Sequence, residues 1–315
     1  GLYFADTPCP SDPRTPGVAR KKFEKRARRY DKRQPNGRDR VLTMKLGDEI
    51  GAVTGAAHIN HCSDCLGRFH AYLRTVLDRM DKNSTFFGVG DVSELRYLPE
   101  LPEPAGPYQR RLYYHSERYK FHLTNRFYTE ITEAAEDVYP NVRTYCNYTP
   151  GGPMYAGHMN NSPWFTLARA HAVTLGWGED WLYSRRTLAG IQTVSYYGAL
   201  VECAARKHDL PAGFYNVASC RHVDRKMFSL FAHRIFLQNI YSFGPLYAVV
   251  GAADSWSHRR GVYEEVAGGT RAVGPAQEII TRGRRPAARV ALLYNRTHEL
   301  WNGSEAGFHT DRLMT

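Results

Sequence analysis

Acidic residues that follow short apolar runs are the first candidates for chemistry in this chain. Glu49, beside Asp48, ends the run 41–46 (VLTMKL) and precedes Ile50-Gly51. A carboxyl group at the carboxyl end of a parallel strand stands where strand ends converge on one face. An apolar setting there raises its pKa toward the range a general acid needs. A second pair, Glu179-Asp180, is flanked by Trp177 and Trp181; two indoles lower the local dielectric and offer flat apolar faces on which a sugar ring stacks. Asp254, ahead of Ser255 and Trp256, is a third acidic position of this kind. Glycoside hydrolysis needs two carboxyl groups across the scissile bond, about 5 Å apart when retaining and farther when inverting. Glu49 as acid/base, with Glu179 or Asp180 as its partner carboxylate, is therefore the expected catalytic set. The structural alternatives are that Asp48 caps a helix and that Glu179 or Asp180 pairs with Arg185 or Arg186.

Residues able to hold sugar hydroxyls gather after the same runs. Asn147 and Tyr148 follow one strand, Asn160 and Trp164 lie in a Gly- and Pro-containing loop, and Asn216 sits near the end of another strand. Together with Asp48, Trp177, Trp181, Asp254 and Trp256 they are expected to line the substrate cleft, although each alone is an ordinary loop hydrogen-bonding residue. The stretch 58–65 (HINHCSDC) has the residue types of a metal site, but zinc sites usually need a second pair of ligands at defined spacing. Cys220 and His222 are the only distant partners that suggest themselves. No metal and no cofactor is therefore assigned, and a metal-dependent hydrolase built on His58, His61 and Cys62 stays as an alternative. The sequence has no Gly-rich phosphate loop, no GxSxG and no HExxH.

Elements that would position these residues are read from hydrophobic periodicity. Short apolar strands at 1–4, 41–46, 141–146, 172–175, 213–217 and 247–250 alternate with helical stretches at 66–80, 119–138, 185–208 and 225–241, the grammar of parallel βα units. Six such strands fit most of a (β/α)8 TIM barrel. Gly1 in place of Met suggests that the first one or two strands lie upstream. The expected organisation is a partial barrel over 1–270, a basic, Pro-containing linker at 271–288, and a second α/β domain opening with the strand at 289–294 (RVALLY) and cut short at 315.

With 43% hydrophobic and 23% charged residues, 315 residues are enough for a large globular core and not for long disorder. Aromatics make up 13%, more than a core requires, as a sugar-binding cleft would. A net charge of +11 is concentrated at 19–40, yet Phe23, Ala27 and Tyr30 recur at helical spacing. That stretch reads as an amphipathic helix with a solvated basic face, so no nucleic-acid partner is expected. No apolar run approaches the ~20 residues needed to span a bilayer, and no membrane partner is expected. Six cysteines in so long a chain do not make a disulfide framework.

The segments 46–50 (LGDEI), 177–181 (WGEDW) and 289–295 (RVALLYN) resemble the β-galactosidases of glycoside hydrolase family 42. The resemblance implies a barrel followed by a flavodoxin-like trimerisation domain, so that the full-length protein can form homo-oligomers. It also implies an acid/base Glu after strand four in an Asn-Glu pair and a nucleophile Glu after strand seven. Glu49 matches the first, with Asp48 in place of the Asn; the expected seventh strand ends in Asn216-Val217-Ala218-Ser219 without a Glu. The expected activity is cleavage of an oligosaccharide, and a non-catalytic carbohydrate-binding barrel is the alternative.

Overall fold

The computed structural model describes residues 9–47, 56–147, 164–179, 188–218, 222–241 and 260–283, together with 289, 297 and 301. The chain divides into two compact units. The first takes its described residues from 9–46, 56–144 and 170–173. The second takes residues 47, 145–147, 164–169 and those from 174 onward.

In the first unit the basic stretch forms helix α1 (Thr15–Arg33), which starts on a Pro in its first turn and buries Thr15, Ala19, Phe23 and Ala27. That three-to-four spacing makes one apolar stripe. Its main partner is the 30-residue α4 (Pro107–Glu136), and just beyond α4 the Tyr139 hydroxyl donates to the Phe23 carbonyl at 3.1 Å. Between them run strand β1 (Thr43–Gly47), the short helix α2 (Ala56–His61) and α3 (Ser63–Arg79). Helix α3 turns Cys65, Phe69, His70, Leu73 and Leu77 inward. Of these, Cys65, Phe69, Leu73 and Leu77 join Ile59, Phe87, Tyr97, Tyr119 and Leu123 in one core. Strand β2 (Arg143–Cys146), of which Arg143 and Thr144 belong to this unit, forms a two-stranded sheet with β1.

The second unit contains α5 (Trp164–Arg169), β3 (Gly176–Glu179), α6 (Leu188–Arg206), β4 (Ala212–Val217), α7 (Val223–Ala232) and β5 (Leu237–Tyr241). These are followed by α8 (Arg260–Val273) and α9 (Gln277–Arg282). Strands β3, β4 and β5 pair in parallel in that order, with α6 and α7 as the crossovers that parallel pairing requires. The stretch expected as a linker, 271–288, is helical over most of its length to Arg282. Of the expected strand at 289–294 only residue 289 lies among the described residues. No described helix is long and apolar enough to cross a membrane.

The expected TIM barrel is overturned. Five strands are present among the described residues, in sheets of two and three, and no eight-strand closure is formed. A barrel needs consistent stagger around a closed ring, whereas open parallel sheets use the same local strand-helix alternation. Periodicity reports that alternation and not which strands pair. Two elements also differ locally. The expected helix at 225–241 ends at Ala232 and gives way to β5, and the strand expected at 172–175 lies at Gly176–Glu179. In the second case glycines at 176 and 178 hid a strand: a Cβ at Gly178 would fall 2.2 Å from the Phe214 ring, so close strand packing demands them.

Candidate metal centre and a buried carboxylate

Helix α3 begins immediately after Cys62, which is its N-cap, and Cys65 lies in its first turn. The Cys62 amide donates to the His58 carbonyl and the Leu66 amide to the Cys62 carbonyl, both at 2.9 Å, so α2 runs almost directly into α3. Near-helical spacing therefore brings His58, Cys62 and Cys65 together. The fourth member arrives from far away. Cys9 sits in a turn ahead of α1, where the Asp12 amide closes on the Cys9 carbonyl at 3.0 Å. Its sulfur lies 3.6 Å from that of Cys62 and 3.2 Å from that of Cys65, across sequence separations of 53 and 56 residues.

The ligand atoms of Cys9, His58, Cys62 and Cys65 all fall within 4.8 Å of one another. All three cysteines are free thiols, and their sulfurs are well beyond the disulfide length of about 2.05 Å. A tetrahedral zinc with Zn–S bonds of about 2.3 Å separates its sulfur ligands by roughly 3.8 Å. The site therefore has the right size as well as the right donors. His58 Nε2 is buried and has no hydrogen-bond partner, a state that protein interiors avoid unless something else occupies the lone pair.

The surroundings prepare the sulfurs. The Ser11 amide donates to the Cys9 sulfur at 3.3 Å, and the backbone amide of Cys65 holds the Cys62 thiol below its usual range. The amino end of α3 adds its partial positive charge there. Burial acts the other way on the deeper pair: it raises Cys9 and pushes the Cys65 thiol up to about 12. Without a cation these two stay protonated; a dication reverses that, because a coordinated thiol loses its proton outright. The shell is anchored to the core, with the Tyr119 hydroxyl donating to the Cys65 carbonyl at 3.1 Å and Arg68 donating to the Ser11 carbonyl at 2.8 Å.

The sequence offers Cys220 and His222 as the distant ligands, with no metal assigned. The fold supplies Cys9 instead. His222 precedes α7 in the other unit, Cys220 lies outside the described residues, and His61 is exposed and outside the cluster. The available signal was that Cys9, Cys62 and Cys65, three of the six thiols, share the first 65 residues with His58.

Most of the residues expected at the carbohydrate site are not among those the structure describes. Glu49, Asp48, Asp180, Tyr148, Asn160, Trp181, Asp254 and Trp256 lie outside the described residues. Glu179, the last residue of β3, is buried, and the Asn147 side-chain amide donates to its Oε2. Pairing of Trp177 with Gly213 and of Glu179 with Tyr215 puts these positions on one face of the sheet, because alternate strand residues share a side. Below Glu179 that face is a layer of Tyr145, Leu175, Trp177 and Tyr215 packed against Tyr241, and the Tyr145 and Tyr215 hydroxyls are 3.1 Å apart. Trp177, expected as a sugar platform, is instead buried in this layer. The Tyr145 ring stacks on it at 4.3 Å, covering the face a sugar would use.

Asn216 is adjacent to Tyr215 on β4 and so lies on the opposite face from Glu179. Trp164 also departs from the expectation: it packs edge-on to the Tyr197 ring, against the cluster that contains Phe214 from that other side. The structure thus joins Asn147 to Glu179 and separates both from Asn216 and Trp164. Comparison of the chain with models of known families finds no match, and none of the curated proteins matches it either.

Proposed function

We propose that this chain is a zinc protein whose first unit is organised by a closed Cys3His centre made of Cys9, His58, Cys62 and Cys65. The observation that carries the reading is the buried, unpartnered Nε2 of His58 among three free thiols. Four protein ligands fill a tetrahedral shell and leave no position for water or substrate, so the role is structural: the ion staples the turn ahead of α1 to α2 and α3. Such binding is also folding free energy, because the site does not exist in the unfolded chain. Elemental analysis of the purified chain should find one zinc per molecule, and cobalt substitution should give the intense visible absorption of tetrahedral Co(II) with thiolate charge-transfer bands. A chain that is purified without metal, and whose melting temperature moves neither with added zinc nor with a chelator, would end the reading.

A second reading concerns the chemistry of the other unit. The glycoside-hydrolase expectation is supported by one described feature, the buried carboxylate of Glu179 held by Asn147 at the carboxyl end of β3. Ligands of open parallel sheets bind outside the carboxyl ends of their strands. In this reading Glu179 is one of the two carboxylates and Asn147 is its positioning residue. Glu179→Gln should abolish turnover across a panel of nitrophenyl glycosides while leaving the circular dichroism spectrum and zinc content intact. A variant as active as the parent removes Glu179 from the reaction.

A further inference from the structure

Helix α1 turns one face to α4 and the opposite face to solvent, and the structure shows which charges on the outer face are balanced. Arg14, Arg20 and Arg28 each have an acidic partner, in Asp12, Asp137 and Glu24. Arg26 lies over the Tyr30 ring, 5.8 Å from its centroid. Lys21, Lys25, Arg29, Lys32 and Arg33 are exposed and form no salt bridge among the described residues. Lys21, Lys25, Arg29 and Arg33 follow one another at intervals of four along a single ridge, and Lys32 lies beside it.

Two features separate this ridge from an ordinary solvated helix face. Successive like charges at i and i+4 destabilise a helix, and no acidic residue breaks the row. The helix dipole favours cations only in the last turn. That accounts for Lys32 and Arg33 and not for Lys21 and Lys25 in the first half, where the first turn also carries no acidic residue. The ridge therefore works against the helix that carries it unless an anion lies along it.

We propose that this ridge docks the phosphate backbone of a nucleic-acid strand. From Lys21 to Arg33 the helix rises about 18 Å at about 1.5 Å per residue. The ridge cations stand about 6 Å apart and all five together average about 4.5 Å, so a strand of duplex DNA, with one phosphate per about 3.4 Å of rise, offers an anion to each. A polyanion with sparser charge would leave part of the ridge unmatched. The outer face presents no free aromatic ring for bases to stack on, Tyr30 being half-buried and beside Arg26. Binding is thus to the backbone and indifferent to base sequence. The sequence alone reads this face as solvated, because charge content does not show which cations the fold leaves uncompensated.

The test uses the full zinc-loaded chain and fluorescence anisotropy with a labelled 20-base-pair duplex of mixed sequence. With five phosphate contacts, the affinity should fall with a log-log salt slope of about −4.5, or about 500-fold between 50 and 200 mM salt. Replacing all five cations by Gln should abolish binding at 50 mM salt. Lys25→Gln alone should reduce the slope by about one, and Lys25→Arg should leave it unchanged. No binding at 50 mM salt overturns the proposal, as does a slope near zero or undiminished binding by a folded five-fold variant. Tighter binding to heparin than to the duplex would assign the ridge to a sulfated polysaccharide and overturn the proposal as stated.

Discussion

Zinc affinity should rise steeply with pH, and its slope counts the thiol protons that the ion displaces. Before metal binds, burial keeps the Cys65 thiol protonated at neutral pH, with a pKa of about 12, and raises that of Cys9 as well. Cys62 is lowered by the Cys65 amide and gives up a smaller fraction of a proton. Each proton released multiplies the apparent binding constant tenfold per pH unit, so two to three protons give about 100- to 1,000-fold per unit. The sign is fixed by competition: acid returns protons to sulfur and expels the metal. Competition with a chromogenic zinc chelator between pH 7 and 8 measures the slope. Calorimetry in two buffers of different ionisation enthalpy counts the protons independently. A slope at or below one, or release of fewer than one proton, would show that Cys9 and Cys65 are not both ligands and would refute the four-ligand centre.

Three further outcomes follow from packing and burial. His115 on α4 is buried with Nδ1 unpartnered, and burial lowers its pKa from 6.5 to about 4. The neutral form is favoured on folding, so its contribution is complete above pH 6.5 and is lost as pH falls toward 4. That amounts to about 3 kcal/mol, visible in urea melts and absent in His115→Phe. Gly213→Ala places a methyl carbon 2.3 Å from the Trp177 ring, which Tyr145 and Tyr215 prevent from moving. It should destabilise the second unit by about 1–3 kcal/mol, and an unchanged melting temperature would contradict the packing. Lys120 and Glu117 form a buried pair at 2.6 Å. Lys120→Met leaves a carboxylate buried without its cation and should cost about 3–5 kcal/mol in denaturant unfolding, with most of it recovered in Lys120→Met combined with Glu117→Gln.

Local order was legible wherever one periodicity dominated. Phe69, Leu73 and Leu77 marked α3, the stripe through Phe23 and Ala27 marked α1, and the runs ending at Leu46, Cys146 and Val217 marked β1, β2 and β4. Strand β5 was hidden because Leu237–Tyr241 is only half-buried and continues an amphipathic pattern begun in α7. At the candidate sites, Glu179 with Asn147 and the His58, Cys62 and Cys65 triplet were visible as residue types.

Spacing of three or four residues is enough to gather His58, Cys62 and Cys65, since a helix turn is a local geometry dictated by backbone sterics. The partner that completes the shell, Cys9, and the face of β4 that takes Asn216 away from Glu179 depend on chain segments far apart in sequence. Those placements are decided by which apolar surfaces bury one another, a collective outcome that no local window of residues contains.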